Sequence, residues 1–75
     1  MPRWRYCAVE LTNTKIYVVE YTPDGVRRSD GHPTRGDDDL GRALYQLGQE
    51  GWELVSVFRS DTLSEWHFKR RDEGA

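Results

Sequence analysis

Apolar and polar residues alternate with a period of two over several short stretches of this chain, which is the pattern of β-strands with two unequal faces. These stretches are rich in β-branched and aromatic residues, and turn-forming residues such as Asn13, Pro23 and Gly25 separate them. The pattern predicts strands over residues 4–11, 15–21, 26–28, 52–59 and 65–71. The short third strand carries Arg27 and Arg28, and such charges are typical of an exposed sheet edge.

The period changes from two to 3.6 in the middle of the chain. Four apolar residues there follow the spacing i, i+3, i+4, i+7: Leu40, Ala43, Leu44 and Leu47. This spacing predicts an amphipathic helix over residues 37–50. The helix would begin with three aspartates, which are favourable at a helix N-terminus, and Thr34 or Asp37 is expected to cap it.

A glycine followed by a tryptophan marks the predicted end of this helix. Gly51 is expected to adopt a left-handed conformation just past the last turn, which is the position that favours glycine. Trp52 would then contact Leu47, the hydrophobic contact that accompanies a Schellman motif. The strand that follows should therefore start in contact with the helix.

The order of elements predicts an α+β fold, in which one helix lies across one face of a twisted, mainly antiparallel sheet of four to five strands. The order is β-β-β-α-β-β, within a single domain over residues 1–75. Residues 29–36 lack any periodicity and are expected to form a loop, and residues 72–75 are expected to be a frayed tail.

Alternation also predicts which residues share a sheet face. The helix is expected to cover a mostly aromatic face that contains Trp4, Tyr6, Trp52, Leu54, Phe58, Trp66 and Phe68. The opposite face would carry Cys7, Val9, Leu11, Val55 and Val57. Nothing else in the chain is left to cover this second face, so it is a candidate contact surface.

Composition limits the classes of function. A chain of 75 residues has room for one modest core, and its net charge of −2 gives no overall field that would attract nucleic acid or an anionic membrane. The single Cys7 cannot form an internal disulfide, which favours a reducing cytoplasm. The chain has no apolar stretch of the length that a signal peptide or a membrane helix needs, so we expect a soluble cytoplasmic protein.

Three short motifs carry a family resemblance. They are Trp-x-Tyr at Trp4 and Tyr6, Leu-Gly-x-Glu-Gly-Trp-Glu-Leu-Val over residues 47–55, and Phe-Lys-Arg over residues 68–70. With them the chain resembles a family of small, mostly bacterial domains of unknown function. The resemblance implies a small sheet with one helix, and it implies no established activity. Residues 12–36 match nothing in that pattern.

The sequence offers no converging set of catalytic groups, and we predict no catalytic, cofactor-binding or metal-binding residue. Cys7 lies among apolar strand residues and is expected to be a buried structural thiol. A divalent ion could bind to one set of histidine and carboxylate side chains: Asp30, His32, Asp37 and Asp38. Turn and helix-cap chemistry explains these aspartates more simply.

The leading hypothesis is a non-enzymatic interaction module. It would self-associate, most simply as a homodimer, or dock on a larger protein, through the sheet face or edge that the helix leaves uncovered. The alternative is local binding of single-stranded nucleic acid by aromatic and basic residues of the terminal strands. Its candidate contacts are Arg3, Arg5, Lys69, Arg70 and Arg71.

Overall fold

The computed structural model describes residues 3–29, 31–33 and 37–72. Over these residues the chain forms six strands and one helix: β1 (Trp4–Thr12), β2 (Lys15–Thr22), β3 (Gly25–Arg28), β4 (His32–Pro33), α1 (Asp37–Gln49), β5 (Glu53–Arg59) and β6 (Leu63–Arg71). The strands form one sheet in which every pairing is antiparallel. The predicted α+β class and the order of the main elements are confirmed.

Strand β1 lies at the centre of the sheet, whose order is β3-β2-β1-β6-β5, with β4 also paired to β2. The first and last long strands are therefore neighbours, and their pairing runs from Trp4 opposite Arg71 to Thr12 opposite Leu63. Strands β3 and β5 lie at the ends of this order. The prediction that Arg27 and Arg28 lie on an exposed sheet edge is confirmed, since all of β3 is exposed.

The segment expected to be a featureless loop contains a short strand. β4 pairs with β2 through Lys15 and Ile16, so the sheet continues into this segment. The backbone at Gly31 passes close to Tyr17, because a Cβ at Gly31 would lie 2.7 Å from the Tyr17 ring. Asp30 and residues 34–36 of this segment, including Thr34, lie outside the described residues, as do the side chain of Asp37 and residues 73–75 of the predicted tail.

The helix ends as the sequence predicts. The N–H of Gly51 donates to the carbonyl of Gly48 at 3.1 Å, and the N–H of Trp52 donates to the carbonyl of Leu47 at 3.0 Å. These are the two hydrogen bonds of a Schellman motif. Gly51 has a φ of +88°, a conformation that residues with a Cβ resist.

The face that the helix covers differs in part from the one predicted, because strand β1 turns its other side to the helix. The main core cluster consists of Cys7, Val9, Ile16, Leu47, Trp66 and Phe68. Ala8 and Val19, which pair with each other on the other face of the sheet, are also buried. Cys7 pairs with Phe68 and Val9 pairs with Trp66, and directly paired residues share a face. The core cluster therefore places Cys7, Val9 and the half-buried Leu11 on the helix side. Trp66 and Phe68 are on the helix side, as expected.

Trp4, Tyr6 and Phe58 lie on the other face, so their assignment to the core was wrong. Strand β1 is apolar on both faces, and alternation alone does not show which face the helix will choose. The pairing of β1 with β6 decides this choice. Tyr6 pairs with Lys69 rather than with one of the buried aromatic residues.

A β-bulge changes which face of the sheet each residue of β5 lies on. Leu54 pairs with Phe68 and Val57 pairs with Trp66, so both lie on the helix side, whereas Ser56 pairs with His67 on the other face. The register shifts between Leu54 and Ser56, which breaks the strict alternation that the sequence predicts. All residues of β5 are exposed on the described structure, including those on the helix side.

Candidate interaction surfaces

The outer edge of β5 is the most apolar exposed strand edge of the described structure. Four of its seven residues are large and apolar, and each is between 48% and 54% exposed: Leu54, Val55, Val57 and Phe58. Two of them face the helix side and Phe58 faces the other side, so the strand is apolar on both faces. An exposed apolar edge strand presents free backbone N–H and C=O groups for pairing with another strand.

The two edges of the sheet differ in how well they are protected against pairing with another strand. Strand β3 has four residues and ends in Arg27 and Arg28, and short charged edges discourage further pairing. Strand β5 has seven residues, and its charged residues, Glu53 and Arg59, lie only at its ends. The bulge near Val55 twists one half of β5, whereas the run from Ser56 to Arg59 keeps regular pairing with β6. This regular half is available for an additional strand.

The predicted contact surface is not assembled as one patch. Cys7 and Val9 are buried in the core, at 3% and 0% exposure, and Leu11 packs against that core. A partner cannot reach the first two side chains while the helix stays in place. Val55 and Val57 are exposed, and both belong to the β5 edge. Two residues of the predicted surface, Val55 and Val57, therefore belong to the β5 edge. The other three, Cys7, Val9 and Leu11, belong to the core or pack against it.

The sheet face away from α1, here called the open face, is rich in aromatic side chains. Its exposed aromatic residues are Trp4, Tyr6, Tyr21 and Phe58. The Lys69 ammonium lies 4.5 Å from the centre of the Trp4 ring. Aromatic side chains with nearby cations are the components of surfaces that stack nucleic-acid bases.

Acidic residues on the open face neutralise some of its positive charge. Arg28 reaches from β3 across β2 to β1, where its Nη2 lies 2.8 Å from Oε1 of Glu10. The same guanidinium lies 5.5 Å from the centre of the Tyr17 ring. On β6, Nε2 of His67 lies 3.1 Å from Oε2 of Glu65. Glu10 and Glu65 are directly opposite each other on β1 and β6, so the contacts with Arg28 and His67 are at neighbouring positions.

The five basic residues proposed to contact nucleic acid are divided between the two faces. Lys69 and Arg71 pair with Tyr6 and Trp4 and therefore lie on the open face. Arg5 and Arg70 pair with each other on the helix side. Arg3 precedes β1, and its carbonyl accepts a hydrogen bond from the N–H of Asp72 at 2.9 Å. The five residues do not form one basic patch.

Arg5 and Arg70 instead flank Trp52 beside the C-terminal end of the helix. Their guanidinium carbons lie 5.6 Å and 4.8 Å from the centre of the Trp52 ring. Nη2 of Arg5 lies 2.7 Å from Oε1 of Glu20, and this hydrogen bond raises the pKa of Arg5. Nη1 of Arg70 donates to the carbonyl of Glu50 at 2.9 Å. Arg5 and Arg70 are among the predicted nucleic-acid contacts, but their position beside Trp52 and Glu20 was not predicted, because these residues come from separate elements.

Cys7 is a buried thiol, as the sequence predicts. Burial raises its pKa to about 11, with a smaller contribution from the charge of Glu20. A thiol with a raised pKa is protonated at neutral pH, and a protonated thiol is a weak nucleophile. This environment suits a structural residue.

The described residues contain no group of three or more His, Cys, Asp or Glu side chains that could hold a metal ion. Asp30 and the side chains of His32, Asp37 and Asp38, which were weighed as such a site, lie outside the described residues. Across the described part of the chain, no helix has the length and apolar character needed to cross a membrane. Comparison of the chain with protein-family models, curated proteins and solved structures returned no match.

Proposed function

We propose that this protein is a non-enzymatic, cytoplasmic interaction module that forms a homodimer by pairing β5 of one copy with β5 of a second copy. The observation that supports this proposal is the exposed β5 edge, which is apolar on both faces and carries charge only at its ends. An added strand would satisfy the free backbone groups and would bury part of the apolar side chains.

The charges at the ends of β5 favour a second copy as the partner. In an antiparallel pair, the Glu53 end of one copy lies nearer to the Arg59 end of the other, so the opposite charges attract at long range. The two side chains are on opposite faces of the sheet and do not form a direct cross-strand pair, since Glu53 pairs with Lys69 and Arg59 pairs with Ser64. A parallel pair would bring like charges together at both ends. Antiparallel pairing across a two-fold axis also uses the same edge on both copies, as is common in homodimers.

The dimer is expected to be of moderate affinity. One strand edge buries less surface than a standard protein interface, so we expect a Kd of about 1–100 μM. Main-chain hydrogen bonds would supply much of this affinity, and the half-exposed apolar residues would supply the rest. The protein would then change from monomer to dimer over an accessible concentration range.

Amide hydrogen exchange measured by NMR at two concentrations tests the proposed contact. We expect exchange along β5 to be slower at about 500 μM than at about 5 μM, because pairing protects the outward N–H groups at the higher concentration. Exchange along β3, the charged edge, should be the same at both concentrations. Equal exchange along β5 at the two concentrations would refute the pairing and would leave this edge for a strand of a larger protein.

The second candidate function is binding of single-stranded nucleic acid on the open face. The observation that favours it is the cluster of exposed aromatic residues with Lys69 over the Trp4 ring. Bases would stack on these rings while Lys69 and Arg71 contact the backbone. Glu10 and Glu65 on the same face, and the net charge of −2, oppose this binding.

A salt titration with a single-stranded oligonucleotide tests this second function. If it is correct, binding at low salt should weaken as salt rises, since released counterions drive the association. Trp4→Ala should weaken binding by removing a stacking ring, whereas Tyr45→Ala, an exposed aromatic residue on the helix, should leave it unchanged. Absence of binding at low salt would exclude this function.

A further inference from the structure

A cleft of about 300 Å³ lies between helix α1 and the sheet. Its lining comes from the helix, from β1, β2 and β6, and from Trp52, and none of the described lining residues belongs to β5. We propose that this cleft binds a small organic monocarboxylate with a flat apolar body, whose carboxylate is held by the guanidinium of Arg70. This site is separate from the edge proposed for dimer formation.

The arrangement of charge in the cleft points to an anionic ligand. Arg5 and Arg70 are directly opposite each other on β1 and β6, and like charges in this position repel. Glu20 neutralises Arg5 through its contact of 2.7 Å. The ion pairs between described residues involve Arg5, Arg28 and His67, and the Arg70 guanidinium donates to a backbone carbonyl instead. The Glu50 carboxylate also lines the cleft, but it accepts a hydrogen bond from Gln46, and Arg70 contacts the backbone carbonyl of Glu50. A ligand carboxylate would therefore give the Arg70 guanidinium a direct anionic partner.

The guanidinium of Arg70 has hydrogen-bonding capacity left for such a ligand. A guanidinium carries five N–H donors in a planar fork, and one of them is engaged by the carbonyl of Glu50. The Trp52 ring, 4.8 Å from the guanidinium carbon, limits the movement of this side chain. An arginine whose side chain is held in this way loses less conformational entropy when a ligand binds. Its guanidinium can contact both oxygens of a carboxylate.

The floor of the cleft suits an apolar ligand body. Cys7, Val18, Ala43 and Leu47 line it, and the Trp52 ring forms part of its wall. Small-molecule sites are mostly apolar with a few placed polar groups, and their volumes begin at about 300 Å³. The cleft is therefore of a size for a single ring with one substituent.

The acidic residues of the cleft select the charge of the ligand. Glu20 and Glu50 both line it, and Oε2 of Glu50 accepts a hydrogen bond from Nε2 of Gln46 at 3.2 Å. Two carboxylates near the ligand repel a doubly charged phosphate more strongly than they repel a singly charged carboxylate. The cleft should therefore prefer a monocarboxylate to a phosphate monoester.

A titration with benzoate, followed by the indole N–H signal of Trp52 in two-dimensional NMR, tests this inference. We expect a saturable shift with a Kd of about 1 mM or lower, a value within the range for a ligand of this size. Benzamide, which has the same shape without the charge, should bind about tenfold more weakly, because a hydrogen bond to a charged group is the stronger one. Phenyl phosphate should also bind more weakly than benzoate.

Three variants at two neighbouring arginines locate the binding. Arg70→Gln should weaken benzoate binding about tenfold, and Arg70→Lys should retain part of it because the charge remains. Arg71→Gln makes the same change of charge at the next residue, which lies on the open face, and should change binding by less than about twofold because exposed charges are screened. The same spectra report whether each variant is folded.

Three results would overturn the inference. They are the absence of a saturable shift up to about 20 mM benzoate, equal affinity for benzoate and benzamide, and equal effects of the Arg70→Gln and Arg71→Gln substitutions in folded protein. Each of them leaves the proposed β5 dimer unaffected, because the cleft and the edge share no described residue.

Discussion

The amide of Trp52 donates to the carbonyl of Leu47 at 3.0 Å, so the first residue beyond the helix turn is bonded back to a buried residue of the helix. Trp52 also packs against the core, and two arginines lie near its ring. One short motif therefore ends the helix, sets the direction of β5 and forms a wall of the cleft. Its geometry depends on the left-handed conformation of Gly51.

Gly51→Val should destabilise the protein by more than about 1 kcal/mol, because a β-branched residue resists a positive φ. Steric overlap is a minor part of this cost, since a Cβ at Gly51 would come no closer than 3.5 Å to the Arg70 side chain. Gly48→Ala is the matched control, because a Cβ there meets open space within the helix. It should stabilise by about 0.5–1 kcal/mol. Chemical denaturation measures both, and equal stability of Gly51→Val and wild type would refute the role of Gly51.

The three tryptophans should differ in their contribution to stability according to their burial. Trp66 is 8% exposed, and Trp66→Ala should cost about 3–5 kcal/mol. Trp52 is half-buried, so Trp52→Ala should cost less, about 2–3 kcal/mol, rather than the full cost of a buried tryptophan. Trp4 is 42% exposed on the open face, and Trp4→Ala should cost about 1 kcal/mol or less. Denaturation midpoints that rank Trp4→Ala as the most destabilising variant would contradict the assignment of the faces.

The Cys7 thiol should make stability depend on alkaline pH. Burial raises its pKa to about 11 from an ordinary value of 9.0, so the unfolded chain loses this proton at lower pH than the folded protein does. The thiol therefore contributes its full stabilisation below about pH 9, and this contribution is lost as the pH rises to about 11. Urea denaturation of wild type and Cys7→Ala at pH 8 and pH 10.5 isolates the effect, because the other titrating groups are common to both proteins.

We expect the stability of wild-type protein to fall more steeply than that of Cys7→Ala over this pH interval. The folded thiol should also react slowly with a disulfide reagent at pH 8, and it should react quickly after denaturation. A rapid reaction in the folded protein would show that the thiol is accessible and would remove the basis for the raised pKa. A parallel decline of the two proteins would contradict the predicted direction of the linkage.

Local signals in the sequence predicted most of the fold. The spacing of Leu40 and Leu47 predicted the helix, and Gly51 predicted its end within one residue of the observed position. Pro23 and Gly25 predicted the turn before β3, where Gly25 has a φ of +134°. Each of these features depends on a few neighbouring residues, so each can be read from a short window.

The assignment of faces could not be read in the same way. Both faces of β1 are apolar, and which of them is buried depends on the pairing of Cys7 with Phe68, which are far apart in sequence. The bulge between Leu54 and Ser56 is set by the pairing with β6, and no glycine marks it. The cleft was missed for the same reason, because it also needs the helix and Glu20 of β2 beside Arg5 and Arg70, and these parts are far apart in sequence.

The molar mass in solution, measured by light scattering after size exclusion at about 200 μM, tests the proposed dimer most directly. Wild type should give a mass well above the 8.8 kDa of the chain and at most twice that value, and dilution to about 1 μM should lower it towards the single-chain mass. Val57→Lys introduces a charge on the apolar β5 edge and should shift the protein to the monomer at both concentrations. Val26→Lys makes the same change at an exposed valine of β3, and it should leave the dimer intact. A single-chain mass for wild type at about 200 μM, or equal effects of the two lysine variants on the mass, would contradict pairing through β5.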